Sequence, residues 1–146
     1  MQLQILGKQI LNNNEKVILA LIYLAGTKVQ RFSRLQLAMY KIRTLNIHNY
    51  KFDEHSAWGP ADKKFRKEIG QLCGFISFDR YWDNKGNKHG SYRLTSGGQI
   101  YAEEIVNQLQ SQSPKKYPIL LQIAQKLKDP PDGLTAIQLY NEFVKK

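Results

Sequence analysis

Four cationic side chains within five residues give this chain its clearest chemical signal, the binding of a polyanion. They are Lys63, Lys64, Arg66 and Lys67. A lysine contacts phosphate as a point charge, whereas the flat guanidinium of an arginine can also pair with guanine through two hydrogen bonds. The competing interpretation is a solvated helix face on which Asp62 and Glu68 provide local ion pairs. Phosphate contact is favoured, because a second basic segment follows.

A helix must position these cations, and its pattern extends over residues 59–74. Phe65, Ile69 and Leu72 recur at the spacing i, i+4 and i+7, which predicts an amphipathic helix with one buried stripe. At ~100° per residue, Lys63 and Lys67 fall opposite this stripe, and Arg66 flanks them. Pro60 fits the first turn of such a helix, where its missing N–H would be unpaired anyway.

The second basic segment has the pattern of a β-hairpin. Aromatic and β-branched residues over 75–82 and 91–95 predict two strands, and residues 83–90, rich in Gly and Asn, predict the turn between them. The candidate phosphate contacts on this hairpin are Lys85, Lys88, His89 and Arg93. Such side chains could enter a minor groove or follow a nucleic-acid backbone. A polar tip that keeps the hairpin soluble is the alternative, and the sequence leaves both open.

The hairpin also carries the aromatic residues Tyr81, Trp82 and Tyr92. Aromatic rings on a basic hairpin can stack on the bases of single-stranded nucleic acid. A two-stranded hairpin is only marginally stable alone, however, and must pack on the helices. We therefore expect these three rings to hold the hairpin against the helices.

Two further arginines, Arg31 and Arg34, lie at the start of another predicted helix. Ser33 and Gln36 have the Ser-x-x-Gln spacing of a capping box, which predicts a helix that continues to about residue 43. The amino terminus of a helix presents free N–H groups to phosphate, so both arginines are candidates for anchoring a nucleic-acid backbone. An ordinary exposed helix cap is the alternative, and the two interpretations are equally supported.

The net charge is consistent with a polyanionic partner. The 146 residues carry a formal charge of +10, with 16 Lys and Arg against seven Asp and Glu over residues 1–98, and six against five over residues 99–146. A positive field of this kind attracts polyanions and accelerates their association. The basic surface is thus expected on the amino-terminal two thirds of the chain.

The remaining segments predict a mainly α chain with a small β-hairpin. Helices are expected at 15–25, 33–43, 59–74, 96–109, 117–128 and 135–144, with a short strand at 50–52. The helix after the hairpin is expected to turn Ile100 inward. Three helices, two strands and a helix, in this order, predict a winged helix-turn-helix domain over residues 1–110. Residues 111–146 would be a C-terminal helical extension, either part of the same compact domain or a dimerisation arm.

Three motifs resemble those of a known family. Residues 32–42, FSRLQLAMYKI, resemble the "RLQKLLYLL" helix of a prokaryotic, mostly archaeal, family of uncharacterised winged-helix proteins. Residues 55–65, HSAWGPADKKF, resemble that family's "GPYS" segment, and residues 92–98, YRLTSGG, match a "Y.LT..G" ending shared with PadR-like and MarR-like regulators. The family's usual Lys and Ser are replaced here by Leu37 and Asp62. The resemblance implies a winged-helix fold and a DNA-binding role.

Patterns for catalysis and metal binding are missing from the sequence. The three histidines are His48, His55 and His89. None has a second ligand at helical spacing, and a single cysteine, Cys73, does not support a Cys-rich zinc site. No P-loop, nucleophile elbow or dinucleotide fingerprint occurs. We therefore predict no enzymatic activity, no cofactor and no metal, with Cys73 as a small buried hydrophobe.

The expected location follows from the apolar runs. No run approaches the about 18 apolar residues of a membrane-spanning helix. The first residues lack the basic-then-apolar order of a secretory signal. The sequence therefore predicts a cytoplasmic protein without membrane contact.

Together these patterns predict a protein that binds double-stranded DNA, as a transcriptional regulator that could form a homodimer through its C-terminal helices. The third helix would read the major groove through Lys63, Arg66 and Lys67, while the hairpin holds an adjacent groove. One alternative is a winged-helix protein–protein interaction module, with the aromatic loop 50–58 as its surface. RNA binding through the hairpin aromatics is a weaker alternative.

Overall fold

The computed structural model describes residues 11–54, 59–82, 84–86 and 88–145. Within these ranges the helices are α1 Asn13–Leu24, α2 Phe32–Lys41, α3 Lys63–Gly70, α4 Ser96–Gln112, α5 Tyr117–Gln125 and α6 Ala136–Phe143, with a short 3-10 helix at Ile42–Leu45. The strands are β1 Lys28–Gln30, β2 Ile76–Trp82 and β3 Lys88–Leu94. This arrangement confirms the predicted class, mainly α with a small β-structure. None of the helices in these ranges is long and apolar enough to cross a membrane.

Helix α1 lies at the centre of the core, as its sequence predicts. Ile18, Leu21 and Ile22 are completely buried, because a helix that is apolar on most sides must be covered on most sides. The side chain of Asn12 accepts a hydrogen bond from the Glu15 amide at 2.8 Å, and the Glu15 carboxylate accepts one from the Asn12 amide at 3.0 Å. This capping box starts the helix two residues before the predicted position.

Strand β1, which the sequence pattern does not predict, joins the hairpin in a three-stranded antiparallel sheet of order β1–β3–β2. Its buried Val29 pairs with Tyr92 of β3, and Leu94 of β3 pairs with Ile76 of β2. These side chains share one face of the sheet, which therefore joins the core. A strand of three residues is too short to show an alternating pattern, so it escapes prediction from sequence.

The strand predicted at 50–52 does not form. Tyr50 and Phe52 instead pack around Phe65, with ring centroids 5.4 and 6.2 Å from its ring. Their aromatic character therefore reflects packing beneath α3 rather than strand pairing. Tyr50 is buried and Phe52 is partly buried, so these two rings contribute little to the aromatic surface that the interaction-module alternative places on residues 50–58. The rest of that loop, residues 55–58, lies outside the described residues.

Helix α2 begins earlier than predicted and without the predicted capping box. Its N-cap is Arg31, which has a φ of 71° and makes no side-chain capping bond. The Arg31 amide donates to the carbonyl oxygen of Gly90 in β3 at 2.7 Å. The pairing of β1 with β3 therefore determines where the helix begins, and Ser33 lies within the helix rather than at its cap.

Helix α3 is shorter than predicted, because Asp62 caps its start. The Asp62 carboxylate accepts hydrogen bonds from the amides of Phe65 at 2.8 Å and Lys51 at 2.6 Å. Pro60 precedes this cap, so its predicted place in the first turn is wrong. Helical hydrogen bonding begins after Asp62 and ends at Gly70, which places the cationic cluster in the first two turns.

Helices α5 and α6 complete the core. Leu120 and Ile123 of α5 are buried in the same hydrophobic cluster as the inward side of α1. Leu139 and Phe143 of α6 belong to it as well. This packing ties the C-terminal extension to the rest of the chain, and the homodimer through these helices stays a prediction.

One residue of α4 faces away from the core, against the prediction. Ile100 is 69% exposed, whereas Ala102, Ile105 and Val106 are buried. The buried residues have the spacing i, i+3 and i+4, and a residue two positions before Ala102 is rotated by ~200° from that stripe. The prediction for Ile100 is wrong because the buried stripe begins at Ala102, whose small side chain is only weakly hydrophobic and does not mark the buried side in the sequence.

The β3 strand is joined to α4 through Thr95, which fixes the base of the hairpin. The Thr95 hydroxyl accepts a hydrogen bond from the Gly98 amide at 3.0 Å and donates to the carbonyl oxygen of Gly74 at 2.9 Å. Gly98 lies so close to β2 that a Cβ there would stand 2.0 Å from the carbonyl oxygen of Phe75. A side chain at position 98 would therefore push the hairpin away from α4.

His48, in the loop between the 3-10 helix and α3, has different partners at its two ring nitrogens. Nε2 lies 2.8 Å from the carbonyl oxygen of Met39, and Nδ1 accepts from the Tyr50 amide at 3.1 Å. This pattern requires a neutral ring with its proton on Nε2. Burial lowers the pKa of His48 from its ordinary value of 6.5.

We expect acid to destabilise the fold through His48. Because its pKa is lower in the folded than in the unfolded state, its contribution to stability is complete above pH 6.5 and is lost as the pH falls through the folded pKa. His48→Gln keeps a donor and an acceptor but cannot titrate. Its free energy of unfolding should therefore fall less than that of the wild type between about pH 7.5 and 5, as measured by urea unfolding. An identical pH dependence of the two proteins would contradict this role.

Candidate nucleic-acid interface

The outer side of α3 carries the cationic cluster. Its members Lys63, Lys64, Arg66 and Lys67 are all exposed. Phe65, which lies between them in sequence, is completely buried, so the helix turns the cations away from the core. The Nζ of Lys64 donates to the side-chain oxygen of Asn49 at 3.3 Å. Four positive charges thus share the exposed side of one short helix.

The two acids next to the cluster belong to the fold rather than to ion pairs with the lysines. Asp62 caps α3, and Glu68 is buried. The Glu68 carboxylate accepts from the Tyr50 hydroxyl at 2.5 Å and from Nδ2 of Asn12 at 2.9 Å. Burial and the hydrogen bond to Glu68 raise the pKa of Tyr50. The alternative in which these acids neutralise the cluster therefore does not match the structure.

An open cleft of about 460 Å³ lies between α3 and the hairpin. We call it the aromatic cleft, and its lining includes Phe32, Arg66, Cys73, Phe78 and Tyr92. The Tyr92 ring contacts that of Phe78 with centroids 5.1 Å apart and that of Phe32 at 6.2 Å. The guanidinium carbon of Arg66 lies 5.0 Å from the Phe32 centroid. Burial raises the pKa of the Tyr92 hydroxyl, and the positive charge of Arg66 opposes this rise.

Cys73 is exposed in the lining of this cleft, so the prediction of a buried hydrophobe is wrong. Helix α3 ends at Gly70, and the helical register that suggested burial ends with it. Leu72 takes the buried position in the turn that follows. The Cys73 thiol is therefore open to reagents at the site.

One face of the hairpin continues the aromatic cleft outward. Alternation along β2 places Ile76, Phe78, Arg80 and Trp82 on this face. Ile76 is buried, Phe78 is 49% exposed and Trp82 is 67% exposed. The exposed fraction of the side chains on this face thus increases from the base of the hairpin towards its tip. The expectation that Trp82 packs the hairpin against the helices is wrong, whereas Tyr92 does so through its contact with Phe32.

Arg80, which the sequence patterns did not single out, is a described cation on this face. Its guanidinium carbon lies 5.7 Å from the centroid of Phe78. Arg93 lies on the opposite face, since it follows Tyr92 in β3, and it pairs with Asp79 at 3.4 Å. Arg93 and the cluster of α3 are therefore on different sides of the hairpin. The spacing of two residues between Phe78 and Arg80 is the sequence signal that puts both on one face of β2, which makes Arg80 a better candidate than Arg93 for a phosphate contact.

The turn of the hairpin is shorter than the predicted 83–90. Residues 88–90 belong to β3, because Gly86, with a φ of 83°, makes a turn tight enough for the pairing to continue. Lys85 is exposed at the tip. The side chain of Lys88 and residues 83 and 87 lie outside the described residues.

Arg34 is a structural residue rather than a surface cation. It is 2% exposed. Its guanidinium nitrogens donate to carbonyl oxygens, Nε to that of Leu134 at 2.9 Å, Nη1 to that of Gln30 at 3.2 Å and Nη2 to that of Lys128 at 2.6 Å. Burial lowers the pKa of this guanidinium, and the negative charge of Asp129 opposes the decrease. The prediction that Arg34 anchors a phosphate does not fit this buried position.

Arg31 occupies a more open position than Arg34. It is partly exposed at the start of α2 and lines a second cavity, of about 480 Å³, together with Tyr81 and Lys85 of the hairpin. The Tyr81 hydroxyl donates to the side-chain oxygen of Gln30 at 3.4 Å, which links the hairpin to β1. The expected packing of this ring against a helix stays a prediction. The role of Arg31 in anchoring a nucleic-acid backbone stays a prediction.

Comparison with protein-family models, with curated proteins and with solved structures finds no match to this chain. The resemblance to a winged-helix family stays a prediction. Among the residues that the structure describes, no group of three or more His, Cys, Asp or Glu side chains is arranged to hold a metal ion. The side chains that the site does present are cations and aromatic rings, the types with which nucleic-acid-binding proteins contact phosphates and stack on bases.

Proposed function

We propose that this protein is a winged helix-turn-helix protein that binds double-stranded DNA and regulates transcription. In this proposal α1, α2 and α3 form the helical part, α3 enters the major groove and the β2–β3 hairpin is the wing. The order of elements supports this assignment, with β1 adding a third strand to the wing at its base. The observation that carries the proposal is the cationic cluster on the exposed side of α3.

The position of the cluster within α3 favours a role in binding over a role in stability. Lys63, Lys64 and Arg66 lie near the amino terminus of an eight-residue helix whose first turn contains no acid. Cations at the positive end of the helix dipole are unfavourable by about 0.3–1 kcal/mol each. The acid at this end is Asp62 at the N-cap, and a helix shaped by stability alone would carry further acids in the first turn in place of these cations. A bound phosphate group would offset this unfavourable energy, because the cations and the positive end of the helix dipole both attract it.

The structure refines which side chains take part in the proposed complex. On α3 we assign phosphate contacts to Lys63 and Lys67, and a base-edge contact to Arg66. On the hairpin, Arg80 and Lys85 are the described cations that accompany them. Such a division is general, because phosphate contacts fix the position on the duplex while base contacts supply sequence preference.

A salt series with random-sequence duplex DNA tests the proposal. Each phosphate whose counterion is displaced contributes about −0.9 to the slope of log affinity against log salt concentration. Because α3 and the hairpin together present several cations, we expect a slope on the order of −4. Fluorescence anisotropy of a labelled duplex measures both affinity and slope. No binding at low salt would overturn the proposal.

A further inference from the structure

The aromatic cleft and the hairpin face next to it expose aromatic ring surface, and phosphate binding does not explain this surface. Phe78 and Trp82 are 49% and 67% exposed on the same face of the hairpin. Phosphate contacts require cations and hydrogen-bond donors. Aromatic rings exposed beside cations serve instead as platforms on which unpaired bases stack.

The shape of the cleft suits a flat ring. The Phe78 ring lies directly over Gly90, where a Cβ would come within 2.3 Å of two ring carbons. Tyr92 contacts this ring at an interplanar angle of 61°. On the α3 side, a Cβ at Gly70 would meet nothing within 4 Å, so that wall is open. The volume of about 460 Å³ lies within the range of about 300–1,000 Å³ of small-molecule sites, which is sufficient for one nucleotide.

The charges around the cleft complement a phosphate. Arg66 contributes a cation from α3, and Arg80 contributes one next to Phe78. No acid lies among the described lining residues of the cleft. The nearest acid in β2, Asp79, is on the other face of the sheet and pairs there with Arg93. The cleft therefore fits a ligand that combines a flat ring with a negative charge.

We propose that the aromatic cleft binds one unpaired nucleotide of DNA, at a strand end or extruded from the duplex. This inference rests on the proposed binding of the adjoining duplex by α3 and the hairpin. The base stacks on Phe78 beside Tyr92, and its phosphate lies next to Arg80. The protein therefore prefers a duplex with an unpaired base to a fully paired duplex of the same length.

Three matched duplexes test this preference by fluorescence anisotropy. One is fully paired, the second has one additional unpaired base, and the third has an abasic nucleotide at that position. We expect the unpaired base to raise affinity roughly 5- to 100-fold, the factor that stacking of one base provides. The abasic nucleotide should lose this gain although it keeps the phosphate. Equal affinity for all three would refute the cleft but not duplex binding, whereas binding to none would refute the proposed function itself.

Two substitutions of Phe78 separate stacking from packing. Phe78→Leu keeps an apolar side chain but removes the ring, and Phe78→Tyr is the matched control that keeps it. We expect Phe78→Leu to reduce the preference for the unpaired base over the fully paired duplex to less than about two-fold. Phe78→Tyr should retain the preference. A preference that survives in Phe78→Leu would rule out the stacking site.

Cys73 provides a readout in the unaltered protein. It is the one cysteine of the sequence, and it lines the cleft. A base in the cleft should slow alkylation of its thiol by iodoacetamide several-fold relative to fully paired DNA bound at equal occupancy. Equal alkylation rates with the two duplexes would place the unpaired base elsewhere and thereby contradict the proposal.

Discussion

Lys63→Glu combined with Lys67→Glu is expected to weaken the binding of duplex DNA on the order of 100-fold and to leave the protein folded. Both side chains are exposed, and substitutions at such positions usually change stability by less than about 0.5 kcal/mol. Glutamate at position 63 also suits the first turn of α3 better than lysine, because of the helix dipole. Each reversal replaces attraction to phosphate by repulsion. At roughly 1.4 kcal/mol for each site, the pair should weaken binding on the order of 100-fold.

A charge-matched control distinguishes the surface of α3 from net charge. Lys115→Glu plus Lys145→Glu makes the same change in net charge at two exposed positions of the C-terminal region. This pair should retain most of the affinity, because charges more than about 10 Å apart are largely screened at moderate salt. Anisotropy at one low salt concentration compares the two double variants with the wild type, and circular dichroism confirms their folding. If both pairs of substitutions weakened DNA binding equally, net charge would determine the affinity, and the assignment of α3 as the contact surface would be contradicted.

Elements with an internal period could be predicted from the sequence. The stripe of Phe65 and Ile69 predicts α3, and aromatic and β-branched residues on both sides of a turn rich in Gly and Asn predict the hairpin. Strand β1 could not be predicted, because its three residues acquire their structure from pairing with β3. The start of α2 follows from the same pairing through the amide of Arg31. When a segment takes its structure from pairing with residues distant in sequence, its own residues show no pattern from which that structure could be predicted.

The candidate site could be predicted as a region but not as a set of contacts. Arg34 and Arg66 look alike in sequence, since both lie at the start of an amphipathic helix and arginine is rarely buried. Their environments differ in the fold, because Arg34 is surrounded by carbonyl groups from the end of β1 and from the connection between α5 and α6. Arg80 and Arg93 are likewise separated only by the face of the strand that each occupies. Counting cations along a segment therefore identifies an interface without identifying its members.

Arg34→Met is expected to lower the free energy of unfolding by about 3–5 kcal/mol, because it leaves three partly buried carbonyl groups without their charged donor. Methionine fills much of the volume of the arginine stem, so the loss reflects the hydrogen bonds rather than a cavity. The Asp129 carboxylate also loses the positive charge that faces it. Urea unfolding followed by circular dichroism measures the change.

Arg93→Met is the matched control for this substitution. Arg93 is exposed and pairs at the surface with Asp79, so its replacement should cost less than about 1 kcal/mol. Folded Arg34→Met should still bind duplex DNA, because its guanidinium faces carbonyl groups rather than solvent. Unchanged stability together with weakened DNA binding would restore Arg34 as a phosphate anchor. The expected opposite result would show that the C-terminal helices are fastened to α2 through one buried cation, which leaves the outer side of α3 and the hairpin to engage the duplex.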